Sequence, residues 1–200
     1  MEARLERVVL WRNVLKAGAE YCTLSRNDGG WLWQGTAVAA WDERTPLQVS
    51  YEIQCDRGWQ TREAKVEKRA GGAVEAMHLR TTGNRRWWVN EKERVELLGC
   101  VDVDLGASPA TNTLPIRRLG LAVGASAEVT AAWVKFPEMV VQTLAQRYTR
   151  VGEFRYRYES NGGRFQAELE VDELGLVKSY KGVWERMAVL GAHQLPMKRA

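Results

Sequence analysis

Asp102 and Asp104 stand one residue apart in the stretch Leu98 to Leu121, LGCVDVDLGASPATNTLPIRRLGL, ahead of a turn-rich loop and the adjacent arginines Arg117 and Arg118. If Asp-Val-Asp is a strand, both carboxylates face one side with Cα atoms about 6.5 to 7 Å apart, and Val101, Val103 and Leu105 take the other. Three chemistries fit this set. The first is a structural ion-pair and hydrogen-bond network, with Thr111, Asn112 and Thr113 capping loop backbone. The second is the polar end of a ligand cavity, where Arg and Asn hold a sugar hydroxyl or an anionic head group and tryptophans cover the apolar part. The third is catalysis, either glycoside hydrolysis by the carboxylate pair or a divalent metal on Asp-Val-Asp for sugar transfer. No βαβ pattern and no Gly-rich phosphate loop accompanies the tripeptide, so the third has the least support. Adjacent arginines on a strand point to opposite faces, so one of Arg117 and Arg118 at most readily meets the acids.

A second cluster is Tyr51 to Arg62, YEIQCDRGWQTR. Asp56 and Gly58 suit a turn, Trp59 begins the next strand, and Arg62 is expected to pair with a carboxylate, Asp56 across the turn being in reach. His78 sits on an expected strand without a second His, Cys or paired carboxylate at ligand spacing, and reads as a structural histidine. No GxSxG elbow is present and Cys100 has no neighbouring His, so nucleophilic catalysis finds no support. No residue is assigned a catalytic role, and no metal or cofactor is implied.

The elements that would position these residues are mainly strands. Turn signals separate Ala19–Ser25, Trp31–Ala39, Leu47–Cys55, Trp59–Lys68, Val74–Arg80, Arg85–Asn90 and Val95–Leu105, the spacing of successive antiparallel hairpins; one of those turns is Asp42 to Pro46. Phe154, Tyr156 and Tyr158 alternate with arginines, Asn161-Gly162-Gly163 supplies positive φ angles, and Phe165, Ala167, Leu169 and Val171 alternate with polar residues on the return. One short helix is expected after Pro137, with Val140, Val141, Leu144, Ala145 and Tyr148 on one stripe, although Val140-Val141 also suits a strand. Trp31 and Trp33 should share a face, whereas Trp87 and Trp88 should split.

With 200 residues, 45% hydrophobic and 27% charged, the chain is a globular domain large enough to bury one core without disulfides or metals. The expected division is a single domain over 1–188 and a C-terminal tail over 189–200. Three cysteines, Cys22, Cys55 and Cys100, form no CxxC pair and read as reduced, buried thiols. No apolar run suggests a spanning helix or a signal peptide, so a cytoplasmic location is expected. A net charge of +4 without a basic block argues against nucleic acid as a partner. Nine tryptophans are many for this length and suit either a core or an apolar, sugar-binding cavity.

Several segments together resemble a known family: Trp59-Gln-Thr-Arg62, Gly99-Cys-Val-Asp-Val-Asp-Leu105, Pro109-Ala-Thr-Asn-Thr-Leu-Pro-Ile-Arg-Arg-Leu119, Ala132-Trp133-Val-Lys-Phe-Pro137, Gln146-Arg-Tyr148, Tyr156-Arg-Tyr-Glu-Ser160 and Trp184-Glu-Arg186. The chain is similar over about residues 8 to 186 to the glycolipid-binding proteins of bacteria, formerly a domain of unknown function. The resemblance implies a mainly β, antiparallel spiral β-roll, an incomplete barrel with a short helix, like the half-barrel carriers that ferry lipoproteins between bacterial membranes. It implies as partner a glycolipid or other amphiphile, with transient membrane contact. The expected rim of the cavity is Asp102, Asp104, Asn112, Arg117, Arg118 and Arg62, with Tyr51, Trp59 and Trp133 in its wall. A carbohydrate-active enzyme using Asp102 and Asp104, and a β module that binds another protein, are the alternatives.

Overall fold

The computed structural model describes residues 3–41 and 45–194, the side chain of His193 excepted. Its first eight strands are β1 (Arg4–Asn13), β2 (Gly18–Asn27), β3 (Gly30–Ala40), β4 (Pro46–Asp56), β5 (Thr61–Ala70), β6 (Ala73–Thr81), β7 (Trp87–Val89) and β8 (Lys92–Glu93). After β9 (Asp102–Leu105) come a 3-10 turn and the helix α1 (Thr113–Leu119). The chain then forms β10 (Ser126–Lys135), β11 (Val140–Gly152), β12 (Arg155–Ser160), β13 (Phe165–Val171), β14 (Val177–Tyr180) and β15 (Trp184–Gly191).

All fifteen strands among the described residues form one sheet, in the order β8-β7-β6-β5-β4-β3-β2-β1-β15-β14-β13-β12-β11-β10-β9. Every neighbouring pair is antiparallel except β9 and β10, and α1 lies in the long crossover that a parallel pair requires. The sheet rolls until β9 meets β5, where the Val103 N–H donates to Thr61 Oγ1 at 3.0 Å in place of a ladder. It is therefore an incomplete barrel, the mainly β architecture expected. No described helix is long and apolar enough to cross a membrane.

Alternation builds the core. On β4, Leu47, Val49, Tyr51, Ile53 and Cys55 are buried while the residues between them are not. Trp11, Trp33 and Trp87 are fully buried. The Trp11 indole donates to the Val177 carbonyl at 2.8 Å and that of Trp87 to the Cys100 carbonyl at 3.0 Å. Tyr51 lies flat over Gly35, where a Cβ would come within 2.5 Å of the phenol. Cys22, Cys55 and Cys100 are free and buried. As expected, Trp88 is only half-buried while Trp87 is enclosed.

Three expectations need correction. The segment after Pro137 is not a helix: Val140–Gly152 is β11, paired along its length with β10 in the register Val134 to Val141. Its β-branched residues and the absence of an N-cap favour the strand. Arg117 and Arg118 are not on a strand but in α1, where Pro115 occupies the first turn, both arginines sit in the last turn, and Gly120 closes the end at φ 53°. Within Val95–Leu105 only Asp102–Leu105 is strand, and Val95–Leu97 is a 3-10 turn. The last strand continues to Gly191, paired with Arg7, and a 3-10 turn follows over Ala192–Gln194. Most of the turn expected at Asp42 to Pro46, and the chain from 195 onward, lie outside the described residues.

Candidate functional site

Parallel pairing of β9 with β10 sets Asp102 beside Ala131 and Asp104 beside Trp133. Asp102 is buried and takes two hydrogen bonds from Arg118, Nε to Oδ1 at 3.1 Å and Nη2 to Oδ2 at 2.5 Å. Burial nevertheless pushes its carboxyl up, against the pull of that guanidinium. Among the described residues Asp104 meets no cation. It accepts from Gln146 Nε2 on β11 and, at 3.5 Å, from the Thr111 hydroxyl. Burial pushes its pKa up to about 6. Asn112, at the N-cap of α1, makes no cap bond; its Nδ2 donates to the Tyr148 hydroxyl at 3.0 Å, which donates in turn to Gln146 Oε1 at 3.4 Å.

Above this network opens a cleft of ≈ 770 Å³. Asp104, Ser108 and Asn112 border it beside Trp133, and Leu144 and Ala145 of β11 continue that wall. Much of the remaining lining is aromatic, with Tyr158, Phe165, Tyr180 and Trp184. The rings of Tyr158, Phe165 and Tyr180 meet edge to face with centroids 5.9 to 6.2 Å apart. At Ala145, Ser160 and Gly162 the cleft adjoins a trough of ≈ 610 Å³ that Arg85, Arg118, Arg147, Glu128 and Glu159 border. Arg147 donates there to Glu128.

Of the expected site residues, the structure brings Asp104, Asn112 and Trp133 to the cleft and Arg118 to the trough, with Asp102 behind Arg118. The other four lie elsewhere. Tyr51 is buried and donates to Glu20 Oε1, to which the Ser108 hydroxyl also donates at 2.7 Å. Glu20 has no exposed surface, its Oε2 has no hydrogen-bond partner among the described residues, and burial pushes its pKa up to about 7. Trp59 stacks on Trp31 at 4.2 Å, and Arg117 lies over its ring at 5.7 Å from the centroid. Arg62 pairs with Asp56 at 2.5 Å, as the turn chemistry suggested. Sequence reasoning missed Gln146, Tyr158, Tyr180 and Phe165. Alternation did place Tyr158 on a buried face, yet only the fold brings it to the same cleft as Asp104.

Among the described residues no group of three or more His, Cys, Asp or Glu could hold a metal ion. The two acids do not form a free pair, since Arg118 occupies one of them.

The sequence profile of the family described as "Putative glycolipid-binding" matches residues 8–186. The chain belongs to this family. Among solved structures it is similar to a DUF1089 family protein from Pseudomonas aeruginosa, with 35% identity over 84% of this chain and 92% of that one and a TM-score of 0.76. A beta-barrel-like protein of the DUF1849 domain from Brucella abortus shares the fold at 8% identity, covering 93% of this chain and 97% of its own, with a TM-score of 0.54. Comparison with curated proteins finds no match.

Proposed function

We propose that the protein binds one amphiphile of the glycolipid class, its head group at Asp104 and Asn112 and its apolar part along Trp133, Leu144 and the aromatic wall. The observation that carries this reading is the ≈ 770 Å³ cleft, which aromatic rings line together with a carboxylate and an amide. The family description supports it. Each methylene withdrawn from water contributes about 0.8 kcal/mol, so a modest tail offsets the ordering cost of binding. In this reading the bound lipid is not enclosed, because large side chains fill the interior between β1 and β7. The protein would work in the bacterial cytoplasm and touch membrane transiently, at loading and release. The carbohydrate-active alternative loses ground to the Asp102–Arg118 pair.

The test is native mass spectrometry of protein purified from its host, with lipid extract added back. An amphiphile should co-purify, and Ala145→Trp, which fills the cleft from an exposed strand position, should remove it with little change in melting temperature. If no amphiphile binds and none raises the melting temperature, the reading fails.

A further inference from the structure

The cleft holds one charge. Among the described residues that line it, Asp104 alone has a charged side chain; the others are apolar, aromatic, hydroxyl, amide or glycine. A carboxylate offers about four acceptor sites, and Asp104 fills two of them, with neutral donors, from Gln146 and Thr111. Among the described residues its neighbours supply no cation. Asp102 on the same strand is matched by Arg118 from α1, and the phenols of Tyr148 on β11, Tyr158 on β12 and Tyr180 on β14 are all pushed up and stay neutral. Glu20 of β2, reached through Ser108, is an acid. In the trough next door, Arg147 is committed to Glu128; Arg85 faces that trough and not the cleft.

Tyr158, Phe165, Tyr180, Trp133 and Trp184 border the space into which Asp104 opens, and aromatic rings are partners for cations rather than anions. A cation there gains from the acid; an anion loses to it. Resting on the amphiphile reading above, we infer that the bound head group carries a protonated amine or quaternary ammonium, seated between Asp104 and the aromatic wall. A neutral sugar could use the hydroxyl and amide groups but would leave the carboxylate without a counter-charge in a poorly hydrated site.

Three single-chain probes with a common tail separate the cases, titrated below their micelle concentrations by tryptophan fluorescence: dodecylamine, dodecyl maltoside and dodecyl phosphate. At pH 7.5 dodecylamine should bind about tenfold tighter than the maltoside, and the phosphate weakest. Asp104→Asn should bring the amine to within about twofold of the maltoside, both measured on the variant. Should that variant fail to fold, the wild type decides by pH. An alkylamine stays protonated from pH 5 to 7.5, whereas Asp104, near 6 in the free protein, is mostly neutral at pH 5. Amine affinity should therefore fall about tenfold on that descent while maltoside affinity holds. Equal binding of amine and maltoside at pH 7.5, a preference for the phosphate, or a flat amine profile overturns the inference and leaves the amphiphile reading standing. Failure of all three probes to bind overturns both.

Discussion

Trp11, Trp33 and Trp87, contributed by β1, β3 and β7, have no exposed surface, and two of their indoles are tied to backbone carbonyls. Across the roll, Tyr158, Phe165 and Tyr180 of β12, β13 and β14 pack against one another and against open volume. Each half buries an acid as well. Glu20 is sealed by Tyr51 and Ser108, while Asp104 keeps one side toward the cleft. Similar aromatic content thus serves filling in one half and lining in the other. The first set belongs to the closed core, with Ile53, Val66 and Leu79 among its buried members, whereas the second borders a space that the carboxylate and amide side chains of β9 and β11 also reach.

The largest effect that can break this comparison is a ring deletion. Trp87→Ala should cost about 3 to 5 kcal/mol, the range for a large ring removed from a packed core. Phe165→Ala should cost less than about 1.5 kcal/mol, since that ring is 39% exposed and already partly hydrated. Denaturant titration of both reads the contrast directly, and equal losses would make the aromatic wall part of the core.

Next in size is the pH dependence. Glu20 rises from 4.5 to about 7 and Asp104 from 3.8 to about 6 on folding. The folded state therefore holds both protons more tightly than the unfolded chain. Their stabilisation is full below about pH 4 and is lost as pH rises through 6 and 7, about 3 kcal/mol for each group. Glu20→Gln should flatten the upper part of that curve and Asp104→Asn the lower part. A melting temperature constant from pH 4 to 8 would show that neither acid is buried as described.

The arginines sharpen the same contrast. Arg118→Met should cost about 3 kcal/mol, because it leaves Asp102 buried without its partner. Arg62→Ala, whose side chain is 40% exposed beside Asp56, should cost under about 1 kcal/mol. Comparable losses at the two positions would remove the distinction between the interior and surface ion pairs.

The hairpins were legible because strand alternation is a local signal: Leu47 to Cys55 and Tyr156 to Val171 can be read with no knowledge of their neighbours. The stripe from Val140 to Tyr148 misled because five apolar positions satisfy a helical period and the decisive fact is the partner strand, β10. Conversely, Thr113-Leu-Pro-Ile-Arg-Arg-Leu119 is too short to show a helical period, and its caps become visible only with Gly120 in the left-handed region. In the site, Asp104, Asn112 and Trp133 were within reach because unusual residue types concentrate there. Gln146 and Tyr180 were not, since each is an ordinary strand residue until the roll sets the first beside Asp104 and the second in the same cleft.

The pairing of β1 with β15 joins the opening of the fold to its close, with Arg7 beside Gly191, while both free edges, β8 and β9, fall mid-chain. During synthesis the two arms can zip hairpin by hairpin, but the seam between them waits for β15 to leave the ribosome. Until then β1 is a bare margin with unsatisfied amides, the kind of surface on which nascent chains stick to one another.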